Sequence, residues 1–308
     1  MRPLAILAGA PALFVICAAA LAQPFQPPTT PPPDFAKTVI RTTDLGQRTY
    51  MLEGEGGNIV VAVADDGIIM VDDEYAPLHD KIKAAIAAIG TQPIRYLVLT
   101  HFHRDHADGN SGFAKDGATI VAQQSVAVHL AAGTHSGVTG TAVPPAPAAA
   151  LPKETYSDAM TLQLRGRSAR LVHVANAHTD GDTTVYFPEA NVLATGDIVT
   201  FGRYPNIDYL YGGSIDGMID GVDAVLRMAK DDTKIVPGHG PLGTKAVIRD
   251  YRDMLTTLRA RIRALRDEGK TEDEAVAAKP TADYDRKLNV SAQAAGNFVR
   301  VVYRSLMK

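Results

Sequence analysis

The sequence contains no tryptophan and a single cysteine, Cys17. Cys17 lies in an apolar stretch at the N-terminus, so a chain processed beyond it carries no thiol. That excludes disulfides, a thiolate metal ligand and a thiolate nucleophile. A metal in such a chain must sit on histidine and carboxylate side chains. Excess basic charge is also missing. The formal net charge is −3 and no basic run stands out, so the electrostatic footprint of nucleic-acid binding is absent. With 46% apolar and 21% charged residues the chain can bury a sizeable core, and 308 residues suit one large α/β domain or two small ones.

Met1-Arg2 gives a short positive start, Leu4 to Ala22 is apolar and broken by Pro11, and Ala20-Leu21-Ala22 is a small-x-small cleavage site. Residues 1–22 therefore read as an export signal, with Gln23 the first residue of the exported chain. A retained membrane anchor is the alternative. Pro11 and the alanine-rich composition make the segment a poor spanning helix. Ile16 stands before Cys17 where lipoprotein processing needs a small residue. The expectation is a periplasmic or secreted protein with no stable membrane insertion once the signal is gone. Pro24 to Pro33 holds six prolines in ten residues, the composition of an extended linker. The linker is assigned to 23–40 and a single folded domain to 41–308, its last part, from about 245, a helical extension.

From Thr49 the pattern is strand-like. Asn58 to Ala64 and Ile68 to Val71 are β-branched runs joined by the turn Asp65-Asp66-Gly67. Pro77 to Ile89 has helical spacing and stops at Gly90. Ile94 to Leu99 is a short buried strand, Ile120-Val121 another, and Gln123 to Ala132 a helix. Gly133 to Pro152 is rich in Gly, Ala and Pro, a loop of the length expected for a lid or binding loop. Thr161 to Val174 predicts two strands around Arg165-Gly166, and Thr183 to Phe187 and Val192 to Ala194 two more. Ser214 to Ala229 is an amphipathic helix, Lys234 to Val236 a strand, and the chain from Lys245 is mostly helical. Strands followed by a helix and more strands, twice over, predict an α/β layered domain with the sheets inside.

Three histidines and an aspartate crowd into Thr100-His101-Phe102-His103-Arg104-Asp105-His106, directly after an apolar strand and before Gly109, where a helix is expected to begin. His101 and His103 alternate like strand residues and can share a side, while Asp105 and His106 turn away toward a neighbouring position. Three further side chains follow short apolar runs in Gly-containing loops. They are His178 in Asn176-Ala177-His178-Thr179-Asp180-Gly181-Asp182, Asp197 in Ala194-Thr195-Gly196-Asp197, and His239 in Val236-Pro237-Gly238-His239-Gly240. A lone histidine after a strand is usually structural. Seven borderline donors on four strand ends suit zinc, and iron or manganese accept the same donors.

H-x-H-x-D-H, then a His, then an Asp after Thr-Gly, then a His in Pro-Gly-His-Gly, resembles the metallo-β-lactamase superfamily from about Thr49 to about Gly240. The resemblance implies a four-layer αβ/βα sandwich with a metal cleft along the sheet edges and two zinc ions per chain. It places the first zinc on His101, His103 and His178, the second on Asp105, His106 and His239, and Asp197 between them. It also implies catalytic roles for Asp105 and Asp197, with a water shared by the two ions, its pKa lowered toward ~7, attacking a carbonyl of a small-molecule substrate. Asp197 stands where lactamases of the superfamily usually carry Cys or Ser, and a bridging Asp is the pattern of glyoxalase II, ribonuclease Z and lactonases.

Export favours β-lactam hydrolysis as the single best expectation. A thioesterase or lactonase of the glyoxalase II-like branch remains open, as does a zinc-binding accessory protein of a periplasmic cofactor or redox pathway. Asp72-Asp73 is read as either a hydrogen-bond partner of a ligand histidine or a helix cap, with Asp180 and Asp182 as similar candidates. Tyr204, Tyr209 and Tyr211 are read as cleft-lining or loop-packing residues, and Gly133 to Pro152 as a mobile flank of the cleft. Oligomeric state leaves no mark on the sequence.

Overall fold

A computed structural model describes residues 33–135 and 140–306. The export signal read at 1–22 and the linker prolines through Pro32 lie outside the described residues. Residues 33–40 are pinned to the domain. Lys81 Nζ donates to the carbonyls of Phe35, Ala36 and Thr38 at 2.8, 2.8 and 2.7 Å.

The first half of the chain runs β1 (Arg41–Gly46), β2 (Thr49–Glu53), β3 (Ile59–Val63), β4 (Ile68–Val71), α1 (His79–Ala87), β5 (Ile94–Val98), α2 (Arg104–Ala107), α3 (Asn110–Lys115), β6 (Thr119–Gln123) and α4 (Gln124–Ala132). A small hairpin of β7 (Thr134–His135) and β8 (Ala142–Val143) precedes β9 (Glu154–Tyr156). The second half runs β10 (Ala159–Leu164), β11 (Arg167–His173), β12 (Thr183–Phe187), β13 (Val192–Ala194), α5 (Ile215–Met228), β14 (Lys234–Val236), α6 (Lys245–Asp267), α7 (Glu272–Ala277), α8 (Ala282–Leu288) and α9 (Ala292–Ser305).

Two sheets result, ordered β1-β2-β3-β4-β5-β6-β9 and β10-β11-β12-β13-β14. In the first, β1 to β4 pair antiparallel and β4, β5, β6 and β9 pair parallel. Period-2 alternation assigns each apolar side chain to a layer. In β3, Val60 and Ala62 face the second sheet, where they meet Val185, Phe187 and Val192. Ile59, Val61 and Val63 face outward onto Ile82 and Ile86 of α1, Phe113 of α3 and Val126 of α4. Leu193 and Ile235 of the second sheet are covered likewise by Met218, Val222 and Val225 of α5 and Leu255 and Leu258 of α6. A strand buried on both faces reads as an unbroken apolar run, which is why β3 and β4 show little alternation in sequence. The architecture is the expected αβ/βα sandwich, with α6 to α9 extending the outer layer.

Several elements differ from the sequence expectation. The helix foreseen at Gly109 is α3, with Gly109 as its N-cap, but a separate short turn of helix, α2, precedes it from Arg104, so Asp105 and His106 sit on a helical turn. β1 and β9 carry no strong period and are held by pairing and by one buried side chain each, Leu45 and Tyr156. The Gly133 to Pro152 segment contains the β7–β8 hairpin and a 3₁₀ turn at Ala148–Ala150. Among the described residues no helix is long and apolar enough to cross a membrane.

Candidate metal centre

The chemistry-bearing residues converge where strands of both sheets end. β4 delivers Asp72, β5 delivers Thr100 and the histidine cluster, and the loop between β11 and β12 delivers His178. Asp197 follows β13 and His239 follows β14. This placement at carboxyl ends is the usual one for sites on mixed α/β sheets. The sheets are stitched together beside it, Thr183 N donating to Thr100 O at 2.9 Å and Asn58 N to Gly238 O at 2.7 Å.

All seven side chains named from sequence meet here. His101, His103 and His178 bring ring nitrogens within 4.8 Å of one another, Asp105, His106 and His239 bring a carboxylate oxygen and two ring nitrogens equally close, and Asp197 groups in the same way with His101 and His106. Asp197 lies between the two sets. Its Oδ2 is 3.8 Å from His178 Nε2, and its Oδ1 is 3.3 Å from His106 Nε2 and 3.4 Å from His239 Nε2. Asp105 Oδ2 lies 3.2 Å from His239 Nε2 and 3.8 Å from His106 Nε2.

The outward nitrogens of four histidines are occupied. His178 Nδ1 meets the Asn206 carbonyl at 2.7 Å, His106 Nδ1 meets Asp72 Oδ2 at 2.8 Å, and His103 Nε2 meets Asp208 Oδ2 at 2.9 Å. Thr100 spends its hydroxyl proton on Asp72 at 2.7 Å, so at 3.1 Å it accepts from His101 Nδ1. In the neutral form that binds a metal, each ring would then turn a lone pair inward. These lone pairs face each other closely, His178 Nε2 being 2.9 Å from His103 Nδ1 and His106 Nε2 being 3.3 Å from His239 Nε2. Buried His101 Nε2 has no hydrogen-bond partner among the described residues. Inward lone pairs without donors call for cations, so the donor set fits a pair of divalent metal ions.

The electrostatics agree. Burial, then the neighbouring imidazoles His106, His178 and His103, holds His101 well below the ordinary histidine range. Burial and His103 bring His178 down to about 4. Burial pulls His106 down too, but Asp105, Asp197 and Asp72 outweigh it and leave its affinity for a proton well above normal. Burial pushes Asp197 up, yet His239 and His106 overcome it and keep the carboxylate ionised. Two glycines permit the packing. A Cβ on Gly57 would overlap the His106 ring, and one on Gly238 would overlap Asp197 Oδ1.

The supporting residues sort themselves. Asp72 bonds both His106 and Thr100 and caps no helix. Asp73 instead accepts from Gly109 N at 2.9 Å, and burial raises its pKa well above the usual carboxylate value. Asp182 accepts from His178 N at 2.6 Å and Thr179 N at 2.8 Å, shaping the loop under His178, and burial pushes it up to about 7 against those hydrogen bonds. Asp180 accepts from His129 Nε2 at 2.9 Å. Asp208 and the Asn206 carbonyl escaped the sequence reading, because their loop carries no motif and draws the eye to its tyrosines. Of those, Tyr204 is not in the cleft. It stacks on Phe298 and reaches Asp285 Oδ1 at 2.7 Å. Tyr209 lines a pocket of about 230 Å³ beside His103, Asp105 and Asp208, with Val301 of α9 in the same wall. Tyr211 packs on Phe102 and His129 and accepts from His135 N at 2.8 Å.

The family pattern described as the metallo-beta-lactamase superfamily matches residues 42–239. The chain belongs to this superfamily. Among relatives of this metallo-β-lactamase-fold protein, the linear primary-alkylsulfatase of Pseudomonas sp. (strain ATCC 19151) is 24% identical over 254 residues, 69% of this chain and 48% of the relative. The solved sec-alkylsulfatase Pisa1 of Pseudomonas sp. matches with TM-score 0.64 and 17% identity, covering 86% of this chain and 50% of the other. The metallo-beta-lactamase from Pontibacter korlensis matches with TM-score 0.57 and 17% identity, covering 70% of this chain and 99% of the other. The chain thus spans about half the length of either alkylsulfatase. These structural likenesses establish the fold.

Proposed function

We propose that this superfamily member is a hydrolase with two divalent metal ions, zinc the first candidate, that cleaves an ester bond of a small molecule, either carboxylic or sulfate. The observation that carries the reading is the placement of Asp197, one carboxylate oxygen toward His178 and the other toward His106 and His239. In this assignment His101, His103 and His178 would hold one ion and Asp105, His106 and His239 the other, with Asp197 placed to serve either. A metal pair so held supplies Lewis acidity, lowering the pKa of a water toward ~7 and polarising an acceptor oxygen.

The chain's own contribution is alignment. Asp105 is the acidic member of the cluster that also lines the 230 Å³ pocket. Burial pushes its carboxyl up, but His106 and His239 overcome this and keep it ionised through neutral pH. It therefore accepts hydrogen bonds and aims the nucleophilic water. The Asp208–His103 and Asp72–His106 pairs fix ring orientation, so the site stays preorganised while substrate enters. Tyr209 and Val301 form part of the pocket wall.

Ester chemistry is favoured over lactam chemistry by two observations. Asp197 replaces the Cys or Ser usual in lactamases, and in sequence the alkylsulfatase relative is 24% identical over 254 residues against 20% over 223 for the lactamase of Bacillus sp. (strain 170). Opening of a β-lactam is the second reading, supported by the lactamase of Bacillus sp. (strain 170), 20% identical over 223 residues. A panel of a chromogenic cephalosporin, a thioester, a lactone, a carboxylic ester and a sulfate ester at equal metal loading tests both. Turnover of the cephalosporin alone overturns the ester reading, and no turnover of any member overturns the hydrolase reading. Export through residues 1–22 belongs to the same proposal. It rests on the apolar run ending in Ala20-Leu21-Ala22, and an N-terminus at Gln23 in protein from the native host supports it.

A further inference from the structure

A second cavity of about 430 Å³ adjoins the metal-site pocket and shares Arg104, Thr134 and Val143 with it. Its size falls in the ~300–1,000 Å³ range of small-molecule sites. Phe102, Ala107, Leu130, Pro145 and Ala150 form much of its wall. The wall is preformed. Ala146 N donates to Leu130 O at 2.8 Å, and Asn110 Nδ2 donates to Ala150 O at 3.1 Å, fastening the proline-rich run to α4 and α3.

The charged groups at its edge are already paired. Arg104 binds Asp108 at 3.1 Å, and His129 binds Asp180 at 2.9 Å. A polar ligand gains little from a cavity whose charges are satisfied, whereas apolar surface gains by leaving water. Continuity with the pocket beside Asp105 and His103 gives the occupant a direction, its polar end at the metal centre and its apolar end under Pro145 and Leu130.

We propose that this cavity takes the unbranched alkyl or acyl chain of the substrate, so that the hydrolysed molecule is an amphiphilic ester with a medium-length tail. The proposal rests on the hydrolase reading above for the head group and on the second cavity for the tail. Water is the co-reactant. It adds to the ester centre, the bond to the leaving oxygen breaks, and that oxygen takes a proton to leave as the alcohol or phenol.

The test uses metal-loaded protein and p-nitrophenyl esters from acetate to decanoate. The expected result is a kcat/KM that climbs with chain length, by up to about fourfold per buried methylene, and levels off when the cavity is full. Leu130→Asp and Ser111→Phe, each checked for native circular dichroism, should flatten that slope. Ser111 lines the same cavity from α3, so the second variant stands if the first does not fold. Calorimetric titration with decanesulfonate against ethanesulfonate gives a readout independent of turnover. The longer probe should bind at least tenfold tighter to the native chain, and the variants should lose that difference.

Esters turned over at equal efficiency whatever their length would overturn the tail proposal and leave the hydrolase reading standing. Tight decanesulfonate binding that both folded variants lose, with neither these esters nor any member of the substrate panel cleaved, would support the tail site while removing the hydrolase reading. Binding that appears only after removal of residues 1–32 would assign the cavity to that segment and overturn the proposal.

Discussion

Asp208 Oδ2 lies 2.9 Å from His103 Nε2, and this contact decides which nitrogen His103 turns toward His178. Asp208 is buried and sits in a loop whose amide at Asp208 also donates to His178 O at 2.8 Å. One residue thus ties the His103 ring to the backbone of His178, two residues assigned to the first metal position. Asp208→Ala should weaken metal binding by about 10- to 100-fold, the usual effect of removing such a partner. Asp208→Asn keeps an acceptor oxygen and should recover most of the loss. Chelator competition measures both, and unchanged affinity in Asp208→Ala would mean that packing alone orients His103.

Gly238 has no room for a side chain, because its Cβ would fall on Asp197 Oδ1. Gly238→Ala must therefore push the Asp197 carboxylate out of its place between the two histidine sets. Displacement of about 1 Å in a metal site costs about 100-fold in rate. The expected outcome is a folded protein with reduced metal content and a loss of that order. Wild-type metal and rate in this variant would refute the placement of Asp197.

Metal content follows from the same placement. Elemental analysis of the purified chain should give about two ions, since seven donors exceed what one tetrahedral ion needs. Asp197→Ala should lower that number and impair activity far more than Tyr204→Phe. The Tyr204 hydroxyl is engaged with Asp285 at 2.7 Å, away from the metal centre. If Asp197→Ala retains both ions and the wild-type rate, the bridging role is wrong.

How much of this was legible beforehand depends on how local each signal is. The seven donors were legible because each follows an apolar strand within a few residues, and short motifs survive without knowledge of the fold. β3, β10, β11 and β13 were legible from β-branched runs and turn residues. β1 and β9 were not, since exposed or short edge strands exist through their partners. Asp208 was invisible because it acts across 105 positions of sequence on His103. Tyr204 misled for the converse reason. A tyrosine in a loop after Asp197 is near the site in sequence, but stacking on Phe298 of α9 draws it into the helical layer. The role of Asp72 was left between helix cap and histidine partner, and only the position of His106 resolves it.

That helical layer also reaches the site through an ionic cluster, which gives a prediction with a definite pH sign. Glu272 accepts from Arg304 Nε at 2.7 Å and from Arg300 Nη1 at 2.7 Å, and Arg304 Nη1 also donates to the Tyr209 hydroxyl at 3.0 Å in the pocket wall. Burial pushes the Glu272 carboxyl up, but Arg304 and Arg300 outweigh it and hold its pKa below the ordinary 4.5. A carboxyl depressed in the folded state contributes stability that is fully present above the unfolded value and is lost as pH falls through the folded value. Glu272→Gln should accordingly cost about 1 kcal/mol at pH 7, discounted for partial exposure of the cluster. That corresponds to a Tm lower by about 2–4 °C in a chain of this size. As the pH falls from about 5 through the depressed pKa of Glu272, the two melting curves should converge. Thermal melts of both proteins across that range check the sign, and a gap that widens on acidification would show that the arginines do not stabilise the charged form. Because Arg304 also holds Tyr209, the same variant should raise KM for the preferred ester more than it lowers kcat, as expected for a binding wall that loosens while the metal centre stays in place.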